Sequence, residues 1–402
     1  MEKKMYSKAW IVFFTGWFAG LSLACIQNKA APAIPTLMTY FDINMGTAGL
    51  LVSIFSVTGI IMAFPGAALV QKFGIKKAML TALFIACLGT TIGTFSSHIY
   101  LLMFSRILEG FGVGIMTIAG PALVIMLFPP NKRGLPMAIW AAFMMVGQAI
   151  SFMVAAPLLS SFGWQGLWAF TLILSVLAGI TFSMFGNLPP DESNFAISAV
   201  QKNQPVTIKK IDMFGGIKTL NSWLLGLAFM TFSFSSFGFV SWVAPYWSTF
   251  TGWSPATIGN AVSFIYLLEI AYAVIIGFIL NKFLNHRLIG IVGFLIFTVL
   301  VYMCFTTTSV LVVMAFVIIY PFFDTLGACV CYAICPQTAE KPEHSEVALA
   351  LMTLGINVGI LLGPPISGAV IENFGWTAGA LTLALGTVLA ALCLFLIKLR
   401  RI

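Results

Sequence analysis

Apolar residues run along this chain in stretches too long and too unbroken to be the buried stripe of a water-soluble helix. Polar side chains gather instead in short breaks, and twelve stretches reach the ~20 residues that a helix needs to cross a hydrocarbon core. Their limits fall at about residues 9–40, 44–70, 76–96, 98–128, 133–160, 164–187, 220–250, 255–283, 287–308, 309–338, 344–371 and 375–399. In lipid each backbone N–H and C=O must find a partner within its own segment, so such stretches form helices. The expected fold class is an all-α membrane protein with twelve transmembrane helices. One long polar stretch, 187–219, separates two sets of six, which predicts an N-terminal bundle at 1–186, a cytoplasmic linker at 187–219 and a C-terminal bundle at 220–402.

Composition strengthens this reading: 60% of the 402 residues are hydrophobic and 8% are charged, against roughly 25% charged in soluble proteins. Of the 20 lysines and arginines, all but Lys29 and Arg106 fall in the tails or in alternate connections. This asymmetry predicts that both termini face the cytoplasm of a cell (inner) membrane. The net charge of +8 is then a mark of topology. Dispersed over short loops, it offers no surface for nucleic acid. The opening MEKKMYSKAW carries no small-residue cleavage site after a short apolar core and reads as a cytoplasmic tail. The seven cysteines lie in apolar stretches, without the paired extracellular set of a disulfide framework.

Five ionisable residues remain deep within the spans: Lys29, Arg106, Glu109, Glu269 and Asp324. A charge at that depth costs at least ~2.5 kcal/mol on insertion scales, so each must face protein or water. Span midpoints put Lys29, Arg106 and Glu109 slightly to the outer side, and Glu269 and Asp324 at the midplane. The first half is thus cationic where the second is anionic. Arg106 and Glu109, three apart on one helix face, form one candidate ion pair. Lys29 with Glu109 is another, and Lys29 snorkelling to headgroups is a third reading. In either pairing one positive charge is left over, which suits an anionic substrate. Glu269 and Asp324 suit proton coupling, since a midplane carboxyl can hold a proton and release it when a cavity opens to water. The plainer alternative is a structural acid served by Tyr266, Tyr272 or Tyr320. No His, Cys or acidic spacing builds a metal cage and no phosphate-binding glycine loop occurs, so neither metal nor cofactor nor enzymatic chemistry is expected.

The two halves also repeat. MVGQAISFMVAAPLLSSFGWQ (145–165) and NVGILLGPPISGAVIENFGWT (357–377) superpose with Phe162-Gly163-Trp164 on Phe374-Gly375-Trp376, a turn expected at the outer face with its tryptophan at headgroup level. GAALVQKFGIKKA (66–78) resembles the signature loop between helices two and three of the major facilitator superfamily, and GFILNKFLNHR (277–287) its weaker second-half echo. RILEGFGVG (106–114) is similar to the family's fourth-helix Arg-x-x-x-Gly-x-Gly pattern, and GPPISG (363–368) to its Gly-Pro motif, here in helix eleven. Gln71 stands where the signature loop usually has aspartate. Helix five lacks the Gly-Pro of many drug/proton antiporters. The run Asn28-Lys29 with Pro32 is similar to the first helix of cyanate- and nitroimidazole-type permeases.

The resemblance implies a secondary transporter working by alternating access. Helices one, four, seven and ten would line the path, which points to Lys29, Arg106, Asn28, Tyr246 and Trp242 for substrate and to Asp324 with Glu109 for proton coupling, ahead of Glu269, whose helix eight would pack mostly at the contact between halves. The aromatic residues have a plain packing alternative. The signature loop implies gating by Lys72, Gly74 and Lys76, with Gly74 making a tight turn and the lysines reaching helix-terminal carbonyls of the other half. The function expected is proton-coupled movement of a small organic anion, with protons and the lipid bilayer as the other partners. The runner-up is a proton-coupled exporter of drugs or lipophilic cations, bound by Glu269 and Asp324. The ladder Gly355, Gly359, Gly363 with Ser367 predicts close helix packing.

Overall fold

In the computed structural model, residues 2–62, 70, 72–187, 217, 219–283, 285–339 and 344–398 are described, and these are helical with short connections. In chain order the helices are α1 (Glu2–Asn28), α2 (Ile34–Phe41), α3 (Met45–Ser53), α4 (Ser56–Met62), α5 (Ile75–Thr94), α6 (Ile99–Leu127), α7 (Gly134–Ala141) and α8 (Phe143–Phe185). They continue with α9 (Leu220–Phe250), α10 (Pro255–Lys282), α11 (His286–Cys304), α12 (Val310–Thr338), α13 (Ser345–Phe374) and α14 (Trp376–Leu396). Among the described residues, eleven segments are long and apolar enough to cross a membrane. One of them, Gly134–Phe185, has 52 residues and would be ~78 Å long if straight, more than twice a hydrocarbon core. It turns at Gly163, whose φ of 65° suits glycine alone, and so supplies two spans. Twelve spans result, close to the limits read from the sequence. The expected linker lies, apart from Asn187, Ile217 and Thr219, outside the described residues, as does Gln71.

Gly375, the repeat partner of Gly163, adopts the same positive-φ turn at 83°. The two copies of Phe-Gly-Trp therefore share backbone geometry as well as sequence. Their outward side chains are the phenylalanines, with Phe162 and Phe374 exposed. Trp164 is instead buried beside Tyr40 and Phe41, and Trp376 stacks on Phe305. The exposed side chains of both turns are thus the phenylalanines, while the indoles have aromatic partners, Trp164 buried and Trp376 half-buried.

The chain forms two compact units. One comprises Met1–Lys29, Ile61–Gln148 and Gln165–Lys210, and the other Ala30–Ile60, Ala149–Trp164 and Ile211–Ile402. The first unit is built on an apolar cluster that includes Phe13, Met79, Leu83, Met116, Leu123, Trp140 and Phe182. Small residues let its helices close: a Cβ at Gly120 would fall on the Trp140 indole, and one at Gly147 on Ala24. In the second unit the glycine ladder of α13 meets α9 backbone to backbone, with Gly355 on Gly226, Gly359 on Met230 and Gly363 on Phe234. Where lipid supplies no hydrophobic drive between helices, such contacts bring dispersion attraction and short polar bonds. One of these is the Trp242 indole N–H to the Pro364 carbonyl, at 3.0 Å, while the Ser367 hydroxyl bonds within α13 to the Gly363 carbonyl. Large apolar side chains elsewhere point outward, among them Phe84, Phe278 and Leu311.

Candidate functional site

The first span does not run straight through. Pro32 has no N–H to give Asn28, so α1 ends there and a 3-10 turn, Ala31–Ala33, precedes α2. A helix end of this kind leaves its last carbonyls without partners, at the negative end of the helix dipole. Arg106 of α6 supplies the cap: its guanidinium donates to the carbonyls of Ile26 and Gln27 at 2.7 and 2.6 Å. The same group pairs with Glu109 one turn along.

Lys29 completes the arrangement. Its ammonium pairs with Glu109 Oε1 at 2.7 Å and donates to the hydroxyls of Thr90 and Thr171 at 3.2 and 3.4 Å. It also lies 4.7 Å from the centre of the Trp168 ring, within cation–π range. Thr90 in turn donates to Glu109 at 2.8 Å. Both ion pairs left open by the sequence thus form at once. Lys29 and Arg106 are 0% exposed and Glu109 1%, so Lys29 does not snorkel outward. Gly89, beside Thr90, permits this closeness, since a Cβ there would lie 2.8 Å from the Ser105 carbonyl and 3.0 Å from Glu109. Of the neighbours, Asn28 donates to the Ala24 carbonyl at 2.8 Å, while the Gln27 side-chain oxygen is buried with no hydrogen-bond partner among the described residues.

The second unit holds the acidic centre. Glu269 on α10 is 6% exposed, and Asp324 on α12 is half-buried. The two carboxyls are near enough to act on one another electrostatically. The partners of Asp324 are hydroxyls. Tyr320 donates to Asp324 at 3.4 Å, Ser236 lies beside Tyr320 and Asp324, and the buried Tyr266 hydroxyl has no hydrogen-bond partner among the described residues. Phe239 and Phe316 pack on the Tyr320 ring at 4.1 and 4.9 Å. Among the described residues, no cation pairs with either acid.

The remaining candidates lie elsewhere. Trp242 is buried and donates to the Pro364 carbonyl at 3.0 Å, and Tyr246 donates to that of Thr307 at 2.9 Å. Gly74 caps α5 with φ 79°. Lys72 is exposed. Lys76 reaches the end of α8 in its own unit, at the Ser183 carbonyl (3.1 Å) and the Asn187 side chain (2.7 Å). Thr90, Thr171, Trp168, Gln27 and Ser236 were not singled out by sequence, because hydroxyls, amides and aromatics are common in apolar helices. Their one signal is spacing relative to the deep charges. No cluster of three or more His, Cys, Asp or Glu fit to hold a metal occurs among the described residues.

Comparison with known proteins adds the following. The family model described as Major Facilitator Superfamily matches residues 12–329 and 225–401. The hexuronate transporter of Bacillus subtilis is 22% identical over 386 residues, 93% of this chain and 91% of that protein. The 2-nitroimidazole transporter of Escherichia coli is 23% identical over 371 residues, 90% and 89% of the two chains. The uncharacterized MFS-type transporter YcnB of Bacillus subtilis is 30% identical over 184 residues, 44% of this chain and 37% of that protein, so the chain spans well under half of that relative's length. In three dimensions, a bacterial homolog of the human lysosomal transporter Spinster superposes with a TM-score of 0.77 at 15% identity, covering 96% of this chain and 95% of that one.

Proposed function

Because the chain belongs to the major facilitator superfamily of membrane transporters, we propose that it moves a small organic anion by alternating access, coupled to protons. It is a small-molecule transporter and not an enzyme. The observation that carries the anion reading is the unbalanced triad: Lys29, Arg106 and Glu109 hold two cations and one anion where none is more than 1% exposed. That surplus acts through a low-dielectric interior, where a charge is felt far more strongly than in water. The 22% identical hexuronate transporter supports the same class of substrate, and the open acceptor of Gln27 offers a place for a donor on it. Proton coupling rests on Glu269 and Asp324, two neighbouring carboxyls, Asp324 with hydroxyl partners. The basic connections support both termini facing the cytoplasm of the inner membrane, which labelling of single cysteines from either side tests.

The deciding experiment is Lys29→Gln in purified protein. Loss of the surplus charge is expected to weaken anion binding by ~1.5 to 3 kcal/mol, about tenfold to a hundredfold or more. Unchanged affinity would sink the anion reading. A second reading, export of lipophilic cations, draws on one observation: Asp324 is half-buried beside the Tyr320, Phe239 and Phe316 rings, a setting that suits an aromatic or cationic ligand. Thermal-shift screening against organic acids and cationic dyes separates the two, because ligands that bind the folded state raise its melting point.

A further inference from the structure

The outer flank of the second unit carries a feature that the transport chemistry does not use. Between α10, α11 and α12 lies a groove of about 360 Å³, lined by apolar residues that include Ile279, Leu288, Val292, Phe322 and Leu326, with Gly293 in its wall. It is open at the side, where Leu288 is 54% and Val292 47% exposed. Along α11 its lining runs from Leu288 to Gly293, about one and a half helical turns, ~7.5 Å. A chain of this family sits in a bilayer, so the groove faces lipid tails.

Its end is what distinguishes it from an ordinary lipid-facing surface. Lys282 follows Ile279 by one turn at the close of α10, and Arg287 directly precedes Leu288 at the start of α11. Lys282 is exposed and Arg287 half-buried, and among the described residues neither forms an ion pair. Arg287 gives one nitrogen to the Phe395 carbonyl at 2.6 Å, which leaves further N–H groups of its guanidinium to donate. An apolar trough about 7–8 Å long, bordered by two cations that form no ion pair among the described residues, complements one kind of molecule: an amphiphile with an alkyl tail and an anionic head. A zwitterionic lipid has no net charge for the cations, and a water-soluble anion does not need the trough.

We propose that this groove binds an anionic phospholipid, with an acyl chain against Val292 and Phe322 and the phosphate at Lys282 and Arg287. Bound lipid would also touch the Phe322-Phe323 step that leads into Asp324. The test is native mass spectrometry of the full chain released from nanodiscs of phosphatidylcholine alone or mixed with phosphatidylglycerol. The wild type is expected to retain phosphatidylglycerol in preference to phosphatidylcholine. Lys282→Gln should lower that retention about fivefold, and Lys282→Gln with Arg287→Gln tenfold or more, following the ~1 kcal/mol that each basic residue gains near anionic lipid. Val292→Trp, which fills the trough from an exposed position, should reduce retention of either lipid. Should the double variant lose its fold with the Phe395 contact, Lys282→Gln alone decides. Equal retention of the two lipids by the wild type, or retention indifferent to Lys282→Gln and Val292→Trp, overturns the proposal. So does efficient disulfide cross-linking of Val292→Cys between two copies, which would make this face a protein interface.

Discussion

The two units each bury a polar centre, and they handle charge in opposite ways. In the first, Lys29, Arg106 and Glu109 are nearly inaccessible and bound on several sides by carboxylate, hydroxyl, carbonyl and indole groups. In the second, Glu269 and Asp324 have hydroxyl neighbours, one acid is half-buried, and among the described residues the Tyr266 hydroxyl has no hydrogen-bond partner. A charge surrounded by fixed partners is expensive to alter and suits a structural joint. A carboxyl with few and weak partners can change protonation without dismantling its surroundings. The contrast is between a centre whose charges are held on every side and one whose carboxyls keep few partners, and the proposed proton coupling rests on the second.

The strongest test of that contrast removes the shared anion. Glu109→Gln leaves two buried cations facing each other and is expected to cost ~3–5 kcal/mol, read as a large fall in melting temperature. A shift too small to measure would mean that the triad is not internally paired. Next in size is the rescue. Lys29→Gln together with Glu109→Gln removes both partners of one pair, and it should recover ~1–3 kcal/mol of the loss, since contacting residues couple by that much. Strict additivity would break the pairing argument.

A smaller effect is expected at the Gly74 turn. Gly74→Val forces a β-branched side chain to φ 79°, a strain of about 1–3 kcal/mol. Transport assays should show turnover falling more than substrate affinity, whereas equal loss of both would count against a gating role. The least destabilising change is expected at the acidic centre. Asp324→Asn removes one long hydrogen bond and should alter stability by ~1 kcal/mol or less. It is nevertheless expected to abolish uphill transport driven by a pH gradient while exchange between equal pools continues. Unaltered accumulation would take Asp324 out of the mechanism, and Glu269→Gln in the same assay assigns the proton between them.

The fold was readable from sequence because lipid permits few solutions: long apolar runs must be helices, and Gly163 and Gly375 announced their turns by recurring between Phe and Trp. Deep charges were readable for a related reason, since Lys29 and Glu109 stand out where a charge is costly. Their pairing was not. Whether Glu109 serves Arg106 or Lys29 depends on how α5 and α6 approach, and that hinges on Gly89, which looks like any other glycine in the string. Nor does sequence reveal that the carbonyls of Ile26 and Gln27 lack helical partners until the break after Asn28 is located. Pro32 marks the region, but the cap comes from a residue 80 positions away.

The partners of Lys29 are made in order. Thr90 follows it by 61 residues, Glu109 by 80 and Thr171 by 142. At ribosomal speeds of about 5–20 residues per second, the span from Lys29 to its counter-ion takes ~4–16 s to synthesise. During that interval the first span enters the membrane with an unmatched ammonium, at an expense of ~2.5–3.5 kcal/mol were it held at the bilayer centre. The lysine must therefore reach toward headgroups or water first and withdraw later, when the fourth span arrives. Biogenesis thus imposes a schedule that the finished molecule no longer displays: a nascent chain halted before residue 109 would carry a membrane-embedded cation without its anion, a ready mark for membrane quality control.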